Sequence, residues 1–175
     1  MKICVIGMGY VGLVSAACFA DLGNNVWCVD KNNKKINLLN NNHIPFFEPG
    51  LEELVNKNYL SGRLRFTTNL NLAVTNSDVL FICVDTPKLK KSRSADLRHV
   101  FDVAKEVSKY IDKFKIIVTK STVPITTGDK IEELILKKKR KELFEVVSNP
   151  EFLREGEAIR DFRFPDRIVV GSNNK

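Results

Sequence analysis

The sequence predicts an α/β fold with helices on both faces of a doubly wound, mainly parallel sheet. Two observations support this fold class. Short apolar runs alternate along the chain with longer amphipathic runs, and strands that alternate with helices indicate βαβ units and a parallel sheet. A glycine-rich turn also separates the first apolar run from the first helical run, where a tight connection between a strand and a helix is expected.

Apolar runs in the first part of the chain predict three strands and four helices. The strands are residues 3–6, 26–29 and 64–66, and the helices are residues 10–22, 34–39, 49–60 and 70–74. The second of these helices stops at the cluster Asn40-Asn41-Asn42, because asparagine favours turns. Pro49 is expected at the start of its helix, where a missing N–H costs little.

The second part of the chain continues the alternation with four strands and three helices. The strands are residues 79–84, 116–119, 144–147 and 168–170, and the helices are residues 95–111, 128–139 and 151–160. Val100, Ala104 and Val107 recur at the spacing of a buried helical face. Asn149 is expected to cap the last helix, with Pro150 as its first residue.

Length and charge limit the class of protein. A chain of 175 residues with 43% hydrophobic residues predicts one domain with a real core. The net charge of +7 permits nucleic acid, acidic membranes or phosphorylated metabolites as partners. The basic stretches 88–94 and 137–141 contain no interleaved aromatic residues, so we interpret them as a solvated loop and a helix end, and expect no nucleic-acid partner.

The four cysteines, Cys4, Cys18, Cys28 and Cys83, are predicted to be core residues. They lie in apolar stretches, form no CxxC pair and have no histidine at metal-ligand spacing. We therefore expect free thiols, a cytoplasmic location and no metal site. Residues 3–20 resemble a signal peptide, but three glycines interrupt them. No run approaches the roughly 20 apolar residues that cross a bilayer, so no membrane association is expected.

The glycine-rich turn is the first candidate binding element. Gly7, Gly9 and Gly12 form a GxGxxG pattern between a predicted strand and helix, which is the dinucleotide fingerprint of Rossmann-type folds. Gly7 permits the tight turn, Gly9 lets the backbone approach a pyrophosphate, and Gly12 lets the helix pack close to the strand. The N-terminus of that helix, at Tyr10 and Val11, offers N–H groups to the phosphates.

Asp30 ends the second predicted strand, 18 residues after Gly12. A carboxylate there accepts hydrogen bonds from ribose hydroxyls and repels a 2′-phosphate, which favours NAD over NADP. Lys31, Lys34 and Lys35 weaken that preference, because a lysine can meet a phosphate. Alternatively, Asp30 only caps the next helix.

Polar residues follow three further predicted strands: Thr86-Pro87, Ser121 to Pro124, and Asn149 to Glu151. Ligands of open parallel sheets bind at the carboxyl ends of the strands, although each segment alone is also compatible with a simple turn. Glu151 and Glu155 are four residues apart and are expected to share a face of the last helix. Such a carboxylate pair can orient a sugar or activate a water, or simply favour the helix dipole.

Several motifs resemble the UDP-glucose/GDP-mannose dehydrogenase family and follow the family's order over essentially the whole chain. They are GYVG at 9–12, EPGLEEL at 48–54, FTTNL at 66–70, STVP at 121–124, NPEFLREGEAIRDF at 149–162 and PDRIVVG at 165–171. The motifs STVP and NPEFLREG are more specific to the family than a GxGxxG turn.

The resemblance implies roles for particular residues. The residues implied to bind NAD include those of the glycine-rich turn. They are Gly7, Gly9, Tyr10, Val11, Gly12, Asp30, Lys35, Thr86, Thr122 and Glu155. Those implied to bind the nucleotide sugar are Glu151, Phe152, Leu153, Arg154 and Glu155. Thr122 and Glu151 match residues that hold and activate a water, and Glu155 also reaches toward the nicotinamide, so these three are the candidate catalytic residues.

The implied activity is oxidation of the C6 alcohol of UDP-glucose to the carboxylate of UDP-glucuronate, with two NAD, for polysaccharide biosynthesis. In the family a cysteine carries a thiohemiacetal and then a thioester, which water hydrolyses. The full-length family enzymes are expected to be homodimers. The alternatives are a sister enzyme for GDP-mannose or a UDP-N-acetylhexosamine, and a non-catalytic NAD-binding remnant.

The resemblance also implies a domain assignment. Residues 1–175 correspond to the N-terminal NAD-binding domain, whereas the family's nucleophilic cysteine, central helix and UDP-binding domain lie beyond it. The chain is thus expected to be an excised domain or the first half of a split or decayed gene, and to bind NAD without turnover. Asn42 and Thr126 stand where the family usually has glycine, and asparagine tolerates the left-handed conformation best after glycine.

Overall fold

Seven strands form one sheet in the computed structural model, which describes residues 1–89 and 94–173. The strands are β1 (Lys2–Ile6), β2 (Asn25–Val29), β3 (Leu64–Thr67), β4 (Val79–Ile82), β5 (Lys115–Thr119), β6 (Phe144–Ser148) and β7 (Gly171–Ser172). Their order is β3-β2-β1-β4-β5-β6-β7. The first six are parallel, and β7 runs antiparallel to β6. The predicted doubly wound, mainly parallel α/β fold is confirmed.

The helices are α1 (Tyr10–Asp21), α2 (Asn33–Asn40), α3 (Leu51–Leu60), α4 (Leu70–Thr75), α5 (Arg98–Tyr110), α6 (Thr127–Leu136) and α7 (Ala158–Arg163), with a 3-10 turn at Lys141–Leu143. α1, α3 and α7 pack together on one face of the sheet, and α4, α5 and α6 on the other. In the described part of the chain, no helix combines the length and apolar character needed to cross a membrane.

Two apolar cores, one on each face, follow from the alternation of side chains along the strands. In β1, Ile3 and Val5 belong to the core under α1, whereas Cys4 and Ile6 belong to the core under α5. Each face is covered by helices, which is why the strands read as continuous apolar runs. All four cysteines are buried and free, so their prediction as core residues is confirmed.

The order in which strands are added to the sheet changes direction at β1. Strands β2 and β3 extend the sheet on one side of β1, and strands β4 to β7 extend it on the other. Ile6 at the end of β1 is in register with Val29 of β2 and Ile82 of β4. The loops after these three strands therefore start at the same edge of the sheet and lead to helices on opposite faces of it. Such a switch point opens a crevice at the carboxyl edge of a parallel sheet.

The predicted helix over residues 151–160 is wrong. Residues 151–157 form an irregular turn, and the helix occupies only Ala158–Arg163. Side chains bind the backbone N–H groups that a helix would use: Glu151 accepts from Leu153 N at 2.6 Å, and Asp161 accepts from Arg154 N at 2.9 Å. Gly156 has a left-handed φ of 87°, a conformation that an α-helix through this residue would not allow.

Asn149 and Pro150 consequently do not begin a helix, contrary to prediction. The side-chain amide of Asn149 donates to Val169 O at 2.8 Å, and its oxygen accepts from Lys120 Nζ at 3.2 Å. The predicted strand at 168–170 is also wrong, because pairing with β6 begins at Gly171. Ile168 and Val170 are exposed, so this apolar run does not lie in the core.

Smaller differences concern the ends of elements. α3 begins at Leu51 rather than at Pro49, because Gly50 adopts a left-handed φ of 76° as its N-cap. α6 ends at Leu136 rather than at residue 139. Residues 90–93 of the basic stretch 88–94 lie outside the described residues. Asn42 has φ 60°, so asparagine adopts the left-handed conformation expected of this position.

Candidate functional site

The glycine-rich turn packs so closely against its neighbours that two of its positions exclude a side chain. Gly7 has φ 101°, and its N–H donates to Val29 O at 2.7 Å. A Cβ at Gly7 would lie 2.7 Å from Cys83 O, and a Cβ at Gly12 would lie 1.8 Å from Gly7 O. The close approach of α1 to the end of β1 therefore depends on both glycines.

The N-terminus of α1 is open to a ligand. Gly9 is its N-cap, and within the described residues no side chain bonds to that end of the helix. The N–H groups of a first helical turn have no partner in the helix, and the dipole adds a partial positive charge. A Cβ added at Gly9 would meet the Asp85 carboxylate at 3.4 Å, so the absence of a side chain keeps this approach open for a pyrophosphate.

Asp30 lies directly after β2, and its carboxylate is held in place. It accepts from Met8 N and Asn32 N, each at 2.9 Å, and from Lys35 Nζ at 3.1 Å. Burial raises the pKa of the Asp30 carboxyl, but these hydrogen bonds and the Lys35 charge outweigh it and hold the pKa below its usual range. Asn32, not Asp30, is the N-cap of α2, so the alternative of a simple helix cap is wrong.

A cleft of about 370 Å³ runs from the glycine-rich turn past Asp30. Residues at the carboxyl ends of β1 and β2 line it, together with Asp30 and Lys35. One wall comes from α5, through His99, Asp102, Val103 and Glu106. Sequence reasoning missed this wall, because nothing in the pattern of a surface helix indicates which of its polar residues faces a cleft.

A second cleft of about 170 Å³ adjoins the first at Gly9 and Asp85. It brings together six of the sequence-predicted site residues: Gly9, Tyr10, Val11, Thr86, Thr122 and Glu151. The hydroxyl of Thr86 donates to Thr122 O at 3.2 Å, which joins the loops after β4 and β5. The neighbouring loop residue Ser121 donates to Val84 O at 2.7 Å.

Lys120 is a site residue that sequence reasoning missed. Its side chain is buried in the wall of the small cleft, next to Ser121 and Thr122. Burial lowers the pKa of the Lys120 ammonium, and the nearby Cys83 and Glu151 raise it in part. The available signal was a lysine between the apolar strand at 116–119 and the STVP motif, because lysine is almost never fully buried unless it is paired.

None of the residues 152–155, which were expected to bind the sugar, is among those that line the two clefts. Phe152 is half exposed and stacks with Arg167, whose guanidinium lies 5.2 Å from the ring centre. Arg154 forms a bidentate pair with Asp161 at 2.7 and 3.0 Å, and this lowers the pKa of Asp161 to about 2. Leu153 packs against the core under α1.

Glu155 does not share a face with Glu151, so that prediction is wrong. The two carboxylates belong to an irregular turn rather than to a helix, and only Glu151 lines a cleft. Thr126 is exposed with φ −79° at the start of α6. A threonine in place of the family's glycine therefore introduces no backbone strain there.

The cysteine nearest the clefts is not suited to nucleophilic attack. Burial raises the pKa of the Cys83 thiol to about 12, with Lys120 opposing and Glu151 adding to the shift. A thiol with such a pKa is protonated at neutral pH, and only the thiolate is a good nucleophile. Among the described residues, no group of three or more His, Cys, Asp and Glu side chains is placed to hold a metal ion.

A crevice at the switch point, an uncapped helix N-terminus and a held carboxylate after β2 together define the class of protein: a Rossmann-type dinucleotide-binding domain. The family model described as "UDP-glucose/GDP-mannose dehydrogenase family, NAD binding domain" matches residues 1–175. The chain therefore belongs to the UDP-glucose/GDP-mannose dehydrogenase family, and its cofactor is NAD.

Named relatives agree with this assignment. The chain is 54% identical over 171 residues to the UDP-glucose 6-dehydrogenase of Rhizobium meliloti, covering 98% of this chain and 39% of that protein. The ternary complex of GDP-mannose dehydrogenase from Pseudomonas aeruginosa superposes with a TM-score of 0.94 at 40% identity, over 98% of this chain and 41% of that one. The UDP-glucose dehydrogenase of Pyrobaculum islandicum gives 0.93 at 40% identity, over 98% and 40%.

The chain thus spans about two fifths of the length of these relatives.

Proposed function

We propose that residues 1–175 are the N-terminal NAD-binding domain of an enzyme that oxidises UDP-glucose to UDP-glucuronate with NAD. The observation that carries the proposal is the pair of adjoining clefts, which joins Asp30 and the glycine-rich turn to Thr122 and Glu151. The 54% identical relative named UDP-glucose 6-dehydrogenase supports the substrate. The whole enzyme is proposed to be a cytoplasmic homodimer that serves polysaccharide biosynthesis.

In the larger cleft, the residues of this chain bind and orient the dinucleotide. The first turn of α1 donates N–H groups to the pyrophosphate, with Gly9 permitting the approach. Asp30 accepts hydrogen bonds from the adenosine ribose, and hydrogen bonds from Asn32 N, Met8 N and Lys35 hold the pKa of that carboxyl below its usual range. Thr86 and Thr122, joined by their hydrogen bond, fix the loops beside the nicotinamide. When bound, NAD supplies the hydride acceptor.

In the small cleft, Thr122 and Glu151 are the residues proposed to hold and activate a water. Glu151 already bonds to Leu153 N, which fixes the direction of its carboxylate. The buried Lys120 lines the same cleft, where burial lowers the pKa of its ammonium and Glu151 raises it. Phe152, Leu153, Arg154 and Glu155 are proposed to bind the nucleotide sugar, partly through backbone groups.

GDP-mannose remains the second candidate substrate. The solved GDP-mannose and UDP-glucose dehydrogenases superpose on this chain with nearly equal TM-scores and equal identity, so the fold does not separate them. In the family, base and sugar are read largely by residues beyond this domain. We therefore expect the chain alone to bind NAD and to sustain no NADH production from UDP-glucose. It lacks most of the residues that hold the sugar for the first hydride transfer, and its four cysteines are buried core thiols, which cannot carry the thiohemiacetal of the second.

The first test is calorimetry of this chain with NAD and NADP. We expect NAD to bind more tightly, and Asp30→Ala to weaken NAD binding by about 1.5–3 kcal/mol, the range for a hydrogen bond to a charged group. The control Glu142→Ala removes an exposed carboxylate before β6, at the opposite edge of the sheet. Equal affinities for NAD and NADP would contradict the role of Asp30.

The second test is NADH absorbance. The product of the complete coding sequence that contains residues 1–175 should form two NADH per UDP-glucose and none with GDP-mannose, and Glu151→Gln should abolish steady turnover. A preference for GDP-mannose would replace the proposed substrate. Steady NADH production by residues 1–175 alone, well above a Glu151→Gln control, would mean that the nucleophile lies within this chain.

A further inference from the structure

Glu48 is a buried carboxylate that contacts two distant parts of the chain. It lies in the loop before α3 and is 5% exposed. It accepts a hydrogen bond from the Tyr10 hydroxyl, and it accepts from Gly156 N at 2.8 Å and Ala158 N at 2.9 Å. One donor therefore belongs to the start of α1, one to the turn that follows the proposed sugar-binding residues, and one to the first residue of α7.

Tyr10 connects this carboxylate to the glycine-rich turn and to the small cleft. It is the first residue of α1, directly after Gly9 of the glycine-rich turn, and it lines the small cleft with Thr122 and Glu151. Its ring packs against Phe46 at 5.2 Å between ring centres. Its hydroxyl also accepts from Gly156 N at 3.1 Å, so the hydroxyl and the Glu48 carboxylate share that donor.

The charges support a permanent connection at neutral pH. Burial raises the pKa of Glu48, but hydrogen bonds from Tyr10, Gly156 and Ala158 hold it below its usual range. Burial and the bond to Glu48 together raise the pKa of Tyr10 to about 12. Glu48 is therefore ionised and Tyr10 keeps its proton, and hydrogen bonds to an ionised acceptor are the strong ones.

The segment from residue 149 to residue 157 contains no helix or strand, and the helix that follows it, α7, is only six residues long. The segment is held by individual contacts. Leu153 packs against the core, and the N–H groups of Leu153 and Arg154 bond to the nearby carboxylates of Glu151 and Asp161. Glu48 and Tyr10 connect the segment to the start of α1 through Gly156 N. We propose that Glu48 is a positioning residue, whose carboxylate ties residues 151–158 to the glycine-rich turn through Tyr10 and so couples NAD binding to the order of the sugar-binding segment. The sugar-binding part of this inference rests on the proposed function.

The coupling has to be reciprocal. If NAD at the N-terminus of α1 restrains Tyr10, it restrains Glu48 and hence the amides of Gly156 and Ala158. A sugar that orders residues 151–158 then favours NAD binding by the same factor.

The test uses two variants and one matched control in the 175-residue chain. Glu48→Gln keeps the size of the side chain but removes its charge, and Tyr10→Phe removes only the hydroxyl and keeps the ring against Phe46. Glu52→Gln changes an exposed glutamate in the first turn of α3, four residues after Glu48. Amide hydrogen exchange of residues 156–158 is measured by NMR with and without saturating NAD.

Without NAD, we expect exchange at residues 156–158 to be about tenfold faster in Glu48→Gln and unchanged in Glu52→Gln. An ultraviolet titration of the tyrosines, with Tyr10→Phe identifying Tyr10, should show its pKa falling toward 10 in Glu48→Gln. If Glu48 served only to fill space, Glu48→Gln would leave the pKa of Tyr10 unchanged. With NAD, exchange at these amides should slow in the parent and in Glu52→Gln, but not in Glu48→Gln or Tyr10→Phe.

Equal exchange in Glu48→Gln and the parent, or equal slowing by NAD in all variants, would overturn the inference. If Glu48→Gln does not fold, the NAD-dependent slowing in Tyr10→Phe decides the question. Failure of the parent to bind NAD would contradict the proposed function, while exchange and titration without NAD would still decide whether Glu48 holds the segment. NAD binding without any change of exchange in the parent would contradict only the coupling.

Discussion

Replacing Gly12 with alanine should disrupt the contact between α1 and the glycine-rich turn. A Cβ at this position would lie 1.8 Å from Gly7 O, 3.0 Å from Gly7 C and 3.3 Å from the Cβ of Cys83, whereas ordinary contacts begin at 3.4 Å. The first obstacle is backbone, which no rotamer change can remove. Either α1 or the turn at Gly7 must move by more than one ångström.

The cost follows from how firmly Gly7 is held. Its N–H donates to Val29 O at 2.7 Å, and its Cα packs so close to the end of β4 that an added Cβ would lie 2.7 Å from Cys83 O. Overpacking in a well-packed core typically costs 1–3 kcal/mol, and a backbone clash belongs at the upper end. For a chain of this size, about 3 kcal/mol lowers the melting temperature by roughly 6–12 °C.

Thermal unfolding followed by circular dichroism, together with NAD calorimetry, measures both effects. NAD affinity should fall at least about tenfold, because displacement of the turn misplaces the N–H groups that face the pyrophosphate. The control is Ser15→Ala, one turn further along α1. Ser15 is fully buried, and its Oγ has no hydrogen-bond partner among the described residues. That variant should be as stable as the parent or up to about 1 kcal/mol more stable. A Gly12→Ala variant that melts within about 1 °C of the parent would refute the reasoning.

Three further predictions concern charge, pH and backbone conformation. Asp85→Asn should strengthen NAD binding about fivefold, measured by calorimetry, because a carboxylate beside the approach to Gly9 repels the pyrophosphate by about 1 kcal/mol; unchanged or weaker binding would contradict this. The pKa of Glu48 lies below its usual value in the folded chain, so its contribution to stability is present above about pH 4.5 and is lost as the pH falls through the folded value. The melting temperature should therefore drop at acid pH less steeply in Glu48→Gln than in Glu52→Gln. Parallel profiles of melting temperature against pH in the two variants would contradict this contribution of Glu48. Asn42→Ala should lower the free energy of unfolding by about 1 kcal/mol and Asn42→Gly should not, because residue 42 has φ 60°. Urea unfolding measures this difference. Equal stability of the two variants would mean that residue 42 does not need to adopt the left-handed conformation.

The sequence determined most of the fold because the relevant forces are local. Apolar runs fix which segments become strands, and all six parallel strands lie within a few residues of their predicted bounds. The glycine-rich turn and the position of Asp30 could equally be predicted from the sequence, because a tight turn and a carboxylate at a strand end depend on neighbours in the chain. The end of β2 brings Asp30 to Met8 N through the pairing of β1 and β2, which a parallel sheet dictates.

Only the tertiary structure decided the segment after β6. Its sequence has the local signals of a helix, but its N–H groups bind carboxylates from its own turn, from Asp161 and from Glu48, more than a hundred residues away. The burial of Lys120 and the α5 wall of the larger cleft have the same origin. A local pattern fixes what a segment prefers by itself, whereas partners supplied by distant residues exist only after the sheet has assembled, and here their hydrogen bonds outweigh the helical preference of the segment.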